Sequence, residues 1–137
     1  MAYLVVVDAG ALIALLDEND KHHRWACGMF QSTLAFGLVM PALTYAEVLV
    51  RPTRSGQADT FEQNIAGLGL DIRPIFDTDT TSLAQIRAES SLKMSDAIVL
   101  QLALEEQATL ATTDKALANE ATKRGLKVLE PPLTRKS

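Results

Sequence analysis

Leu4-Val5-Val6-Val7-Asp8-Ala9-Gly10-Ala11-Leu12-Ile13-Ala14-Leu15-Leu16 joins two apolar patterns at a single acid. Leu4 to Val7 is a short, mostly β-branched run with no polar alternation, as in a strand buried on both faces. From Ala11 to Leu16 the residues favour a helix. A buried strand running straight into a helix is the unit from which parallel sheets are built.

The rest of the chain repeats that unit. After the solvated break Asp17 to Lys21, His22 to Leu34 carries Trp25, Met29 and Phe30 at helical spacing, and Leu38 to Met40 is a second strand. Thr44 to Val50 predicts a helix stopped at Arg51-Pro52, a loop at Arg54 to Gly56 follows, and Ala58 to Leu68 predicts another helix. Ile72 to Phe76 is a third strand. Helices are expected at Thr81 to Ser90 and at Ser95 to Leu104, the latter so apolar that it must be buried on most sides. Thr109 to Thr112 is strand-like, Lys115 to Arg124 a last helix capped by Gly125, and Leu126 to Leu129 a fifth strand before Pro131-Pro132. Strands alternating with helices, without hairpin signals, predict an α/β/α sandwich around a parallel sheet of about five strands. The expected division is one domain over 1–132 and a frayed tail over 133–137.

The 137 residues are 47% hydrophobic and 22% charged, which excludes disorder and allows a core without disulfide or structural metal. With 13 Lys and Arg against 17 Asp and Glu, the net charge of −4 argues against coating of nucleic acid, so any polyanion must be drawn in locally. The single Cys27 cannot form an intramolecular disulfide, and its place on a helix predicts a small buried apolar residue. The opening lacks a basic flank and its apolar stretch is too short to span a bilayer, so the expected location is the cytosol, with no membrane partner.

In sheets of this kind ligands bind beyond the carboxyl ends of the strands, and here those places hold acids. Asp8 follows the first strand, Glu47 sits one turn into the helix after the second, Asp114 follows the fourth, and Asp96 opens the buried helix before it. Each has a structural explanation: Asp8 and Asp114 as helix N-caps, Thr44-x-x-Glu47 as a capping box, Asp96 as a complement to a helix dipole. Capping is equally served by Ser, Thr or Asn, yet all four junctions carry a carboxylate. If the four converge they repel unless a cation sits among them. Hard carboxylate oxygens suit Mg²⁺ or Mn²⁺, and no His/Cys zinc pattern exists. Metal-assisted hydrolysis of a phosphate ester is the chemistry implied.

Through these residues the chain resembles the PIN-domain family, in particular the VapC-type ribonuclease toxins of toxin–antitoxin pairs. Leu4 to Leu16 is similar to the family's opening strand, metal-binding Asp and helix; His22-His23 to a feature of its second helix; and Thr44-Tyr45-Ala46-Glu47 to its segment with the Glu. Ser95-Asp96-Ala97-Ile98 and Leu110-Ala111-Thr112-Thr113-Asp114 are similar to its third and fourth acid motifs, with Thr112 as the supporting hydroxyl.

The resemblance implies a homodimeric nuclease cutting RNA with Mg²⁺ or Mn²⁺ and neutralised by a cognate antitoxin. Asp8, Asp96 and Asp114 then hold the ion and Glu47 orients or deprotonates the attacking water. Thr112, Arg51 and Lys115 serve as substrate or supporting residues, and Arg54 and Lys93 also lie near the motifs; solvated surface charge is the plainer reading of each cation. Two departures are visible: Ala9-Gly10 stands where many relatives have Ser or Thr, and Ala116-Leu117 where many have a further Asp and an aromatic.

Three other readings share the residues. Ile75-Phe76-Asp77-Thr78-Asp79-Thr80-Thr81 is similar to the nucleophile loop of haloacid-dehalogenase-type phosphotransferases, although an N-cap and solvated loop also account for Asp77 and Asp79. A receiver-like signalling domain fits the length, but Asp8 has no adjacent acid and Leu129-Glu130-Pro131 lacks a Lys. A PIN-like domain that binds RNA or protein without cutting is the third.

Overall fold

Among the described residues five parallel strands form one sheet in the order β3-β2-β1-β4-β5: β1 Leu4–Val7, β2 Gly37–Pro41, β3 Asp71–Arg73, β4 Thr109–Ala111 and β5 Val128–Leu129. The computed structural model describes residues 3–133. Among the described residues seven α-helices cover the sheet: α1 Ala9–Leu16, α2 His23–Thr33, α3 Ala42–Arg54, α4 Ala58–Ile65, α5 Thr80–Glu89, α6 Met94–Glu106 and α7 Lys115–Lys123. Apart from exposed Leu133, the expected tail 133–137 lies outside the described residues, as do Met1 and Ala2.

β1 is central and fully exploits the alternation of side chains along a strand. Val6 enters one cluster with residues of α5, α6 and α7. Val5 and Val7 enter another, against α1, α2 and α3. Both faces are therefore covered, as the unbroken apolar run predicts. Every residue of α6 from Ala97 to Ala103 is buried, which accounts for its lack of a polar face. β1 is hydrogen-bonded to β2 on one side and β4 on the other, so the chain reverses its direction of travel across the sheet between β1 and β4. Sites in open α/β sheets form at such a reversal.

Four local expectations are corrected. The third strand ends at Arg73 rather than Phe76, because Pro74 cannot donate to a ladder. The helix after β2 continues through Pro52 to Arg54. Near a helix end Pro forfeits one hydrogen bond, and its fixed φ is helical. That helix begins at Ala42 with Pro41 as N-cap, so Thr44 lies inside it and Thr44-x-x-Glu47 is no capping box. Cys27 is exposed, since the buried stripe of α2 is Ala26, Met29, Phe30 and Thr33 and position 27 falls on the outer face. Its Sγ lies 3.4 Å from His23 Nε2, while His23 Nδ1 lies 2.8 Å from the Ala14 carbonyl oxygen and ties α2 to α1.

The loop Asp77 to Asp79 is a 3₁₀ turn at the edge of the sheet. Asp79 is buried rather than solvated; it accepts from the Phe76 N–H at 2.8 Å and from Gln101 Nε2 at 3.2 Å. Its carboxylate is committed to holding α5 against α6, which leaves nothing for a phosphotransferase nucleophile pair.

Candidate active site

Asp8 leaves β1 as the N-cap of α1. Its own N–H still donates to the Ala111 carbonyl of β4 at 3.1 Å, so the backbone holds the residue at the seam between the two strands. The carboxylate is buried, and each of its oxygens accepts one hydrogen bond. Oδ1 accepts from the Ala11 N–H at 2.8 Å, and Oδ2 accepts from the Thr112 hydroxyl. Thr112 is itself completely buried, and its oxygen accepts in turn from the Asp114 N–H at 2.9 Å. Asp114 caps α7 through Oδ1, which accepts from the Leu117 N–H at 2.9 Å. Two helix caps are thus joined by one threonine, which lies 104 residues from Asp8 in the sequence. Both acids do serve as caps. Capping explains one oxygen of each but not why the two negative groups are set side by side.

Electrostatics extends the group to four. Burial pushes the Asp8 carboxyl up from 3.8 to about 6, and the neighbouring Asp114 charge adds to the rise; the Thr112 hydroxyl and the amides of Ala11 and Thr113 oppose it. Asp96, half-buried in the first turn of α6, is raised by burial, then by the charge of Asp114 and, more weakly, of Glu47. Lys93, the N-cap residue of α6, works against that rise. Asp8, Asp114, Asp96 and Glu47 are therefore coupled in a chain of like charge at the carboxyl end of β1, β2 and β4. Among the described residues, no three His, Cys, Asp or Glu side chains are close enough to cage an ion unaided. The donor chemistry nonetheless fits Mg²⁺ or Mn²⁺, which bind through one or two carboxylates and retain several waters.

The other candidates divide. Thr112 lies at the centre of the group. Arg51 lines a groove of about 400 Å³ beside Glu47, walled by Ile13, Leu16, Val48 and Phe61. Lys115 turns its ammonium to Glu130 Oε1 at 3.1 Å, and Arg54 is exposed on the last turn of α3. The sequence offers Gly10 only as a departure from the family pattern and Thr113 only as part of the motif from Leu110 to Asp114; the structure brings the two together. A Cβ on Gly10 would collide with the Thr113 hydroxyl. No sequence signal reveals that contact, which exists only because β1 and β4 are neighbours.

The PIN domain family model matches residues 5–122. Among solved structures, a toxin-antitoxin complex from Klebsiella pneumoniae is 24% identical with a TM-score of 0.67, covering 83% of this chain and 90% of that one. VapBC2 from Rickettsia felis, bound to a DNA fragment from its promoter, is 14% identical with a TM-score of 0.70, covering 94% and 99%. FitAcB from Neisseria gonorrhoeae is 18% identical with a TM-score of 0.69, covering 90% and 95%. At these identities the likeness is one of fold. No curated protein matches significantly.

Proposed function

The chain belongs to the PIN domain family, whose members are generally nucleases, and we propose that it is a Mg²⁺- or Mn²⁺-dependent endoribonuclease, the toxin of a type II toxin–antitoxin pair. The observation that carries this reading is geometric: the hydroxyl of Thr112 binds both the Asp8 carboxylate and the Asp114 amide at the seam of β1 and β4, where the charges of Asp96 and Glu47 also act. Such repulsion has no structural return, and a divalent cation relieves it.

Asp8 and Asp96 hold the ion, with Asp114 completing its surroundings directly or through water. The bound cation supplies acidity to a water and counter-charge to the phosphodiester. Glu47, exposed on α3, orients or deprotonates the attacking water. Thr112 fixes the Asp8 carboxylate through Oδ2. Lys93, whose charge already acts on Asp96, offers local attraction to a polyanion on an otherwise acidic molecule. Arg51 and Lys115 are assigned to the outer substrate path.

The partner in this reading is a cognate antitoxin, as in the complexes whose fold the chain shares. The apolar groove of Ile13, Leu16, Val48 and Phe61 is where its helix would lie, with a basic tip reaching Glu47. The expected assembly of the chain is a homodimer. No described helix is long and apolar enough to cross a membrane.

The second reading is a PIN domain that binds RNA or protein without cutting, and it is favoured by the departures at Ala9-Gly10 and Ala116-Leu117. The two readings part on metal. The purified protein is expected to cleave single-stranded RNA with Mn²⁺ or Mg²⁺ and to stop in EDTA. Millimolar Mn²⁺ is expected to raise the melting temperature, by about 2.7 kcal/mol of stabilisation at a hundredfold excess over Kd. Absent cleavage together with an unmoved melting curve would decide against the nuclease.

A further inference from the structure

Two adjacent threonines approach Asp8, and only one has its hydroxyl committed. Thr112 donates its proton to Asp8 Oδ2 and accepts from the Asp114 N–H. Thr113, half-buried, makes no hydrogen bond through its hydroxyl among the described residues, although its amide acts on the Asp8 carboxylate. No described side-chain oxygen or nitrogen is both fully buried and unpaired, so the Thr113 hydroxyl is not sealed from solvent.

Gly10 decides where that hydroxyl sits. A Cβ built on Gly10 would lie 3.6 Å from Asp8 Oδ1 and in collision with Thr113 Oγ1. The Thr113 oxygen therefore fills, from across the seam between β1 and β4, the space beside Asp8 that a side chain at position 10 would otherwise take. Around it the pocket presents carboxylates, which when ionised only accept hydrogen bonds. An arriving phosphodiester oxygen also only accepts. In this company Thr113 carries an uncommitted neutral O–H beside Asp8.

We propose that Thr113 is a substrate-positioning residue: its hydroxyl, admitted by the missing side chain of Gly10, donates to a phosphodiester oxygen of RNA beside Asp8. This rests on the ribonuclease reading above and deepens it. A hydrogen bond to a charged group predicts that Thr113→Val lowers kcat/KM on a short single-stranded RNA by about 10- to 100-fold, mainly through KM, and that Thr113→Ser recovers most of the loss. The rise in melting temperature with Mn²⁺ should be the parent's in Thr113→Val, because the hydroxyl serves the phosphate.

Moving the hydroxyl gives a second readout. With Thr113→Ala in place, a new Cβ at position 10 meets the residue 113 Cβ at 3.5 Å, an ordinary contact. Gly10→Ser/Thr113→Ala should therefore fold and cleave faster than Gly10→Ala/Thr113→Ala. Parent kcat/KM in Thr113→Val, a lost Mn²⁺ shift in that variant, or equal rates in the two double variants would each overturn the proposal. A parent that does not cleave RNA in Mn²⁺ would overturn the ribonuclease reading and this inference with it, whereas an active parent with an equally active Thr113→Val sinks the inference alone.

Discussion

Asp8→Asn is expected to lower RNA cleavage by roughly 10²- to 10⁴-fold, because the cation that Asp8 would hold is what makes the attacking water acidic. Asn is nearly isosteric and keeps an oxygen for the Ala11 N–H at the start of α1, so the helix cap survives. What is lost is a negative charge at the point where the Asp114 charge also acts, together with the acceptor of the Thr112 proton. The measurement is initial rate on RNA at saturating Mn²⁺, with circular dichroism to establish that the fold persists. A variant that cuts as fast as the parent would remove Asp8 from the mechanism and with it the metal site.

The same substitution should have an opposite effect on stability when metal is withheld. Burial holds the Asp8 carboxyl at about 6 in the folded protein, whereas an unfolded chain gives it about 3.9. The folded state therefore binds more protons than the unfolded state between those values, and stability falls as pH rises from about 4 to about 6. Two pKa units at 1.36 kcal/mol each put the loss from Asp8 at about 3 kcal/mol, complete above pH 6. Asp96 is shifted in the same direction and adds to it.

Some groups oppose this trend. Glu120 is held low chiefly by its hydrogen bond from Arg124, so its contribution to stability is gained above its unfolded pKa and lost in acid. The informative quantity is consequently the difference between parent and Asp8→Asn in EDTA, from which Glu120 cancels. That difference should be small near pH 4 and should favour the variant by a few kcal/mol at pH 7, read from urea unfolding. A parent at least as stable as Asp8→Asn at pH 7 would show that the burial of Asp8 carries no electrostatic cost. Asp8→Asn is thus expected to exchange activity for stability, as strained functional groups do.

Much of this was legible in the amino-acid sequence, for identifiable reasons. β1 and α1 read correctly because Val5, Val6 and Val7 lack polar alternation and Asp8 ends the run. Among the candidate acids, Asp8 and Asp114 stand out because they follow strand ends, Glu47 because it lies one turn beyond one, and Asp96 because it opens an otherwise apolar helix. The differences are equally local. The apolar run Ile72 to Phe76 contains Pro74, which ends the third strand at Arg73. Pro52 reads as a helix stop, but the last turn tolerates it. Cys27 lies on the outer face because the phase of α2 is set by which face meets α1. Asp79 reads as solvated because its partner Gln101 lies 22 residues on. Gly10 against Thr113 lay beyond reach altogether, since adjacency of β1 and β4 is a property of strand order.

The central claim is that Asp8, Glu47, Asp96 and Asp114 form one pocket for a divalent cation. Anomalous diffraction from crystals grown with Mn²⁺ tests it most directly. The account predicts a manganese peak between Asp8 and Asp96, with Asp114 and Glu47 reached directly or through ordered water. A map with no peak there, or with manganese bound only elsewhere, would contradict it.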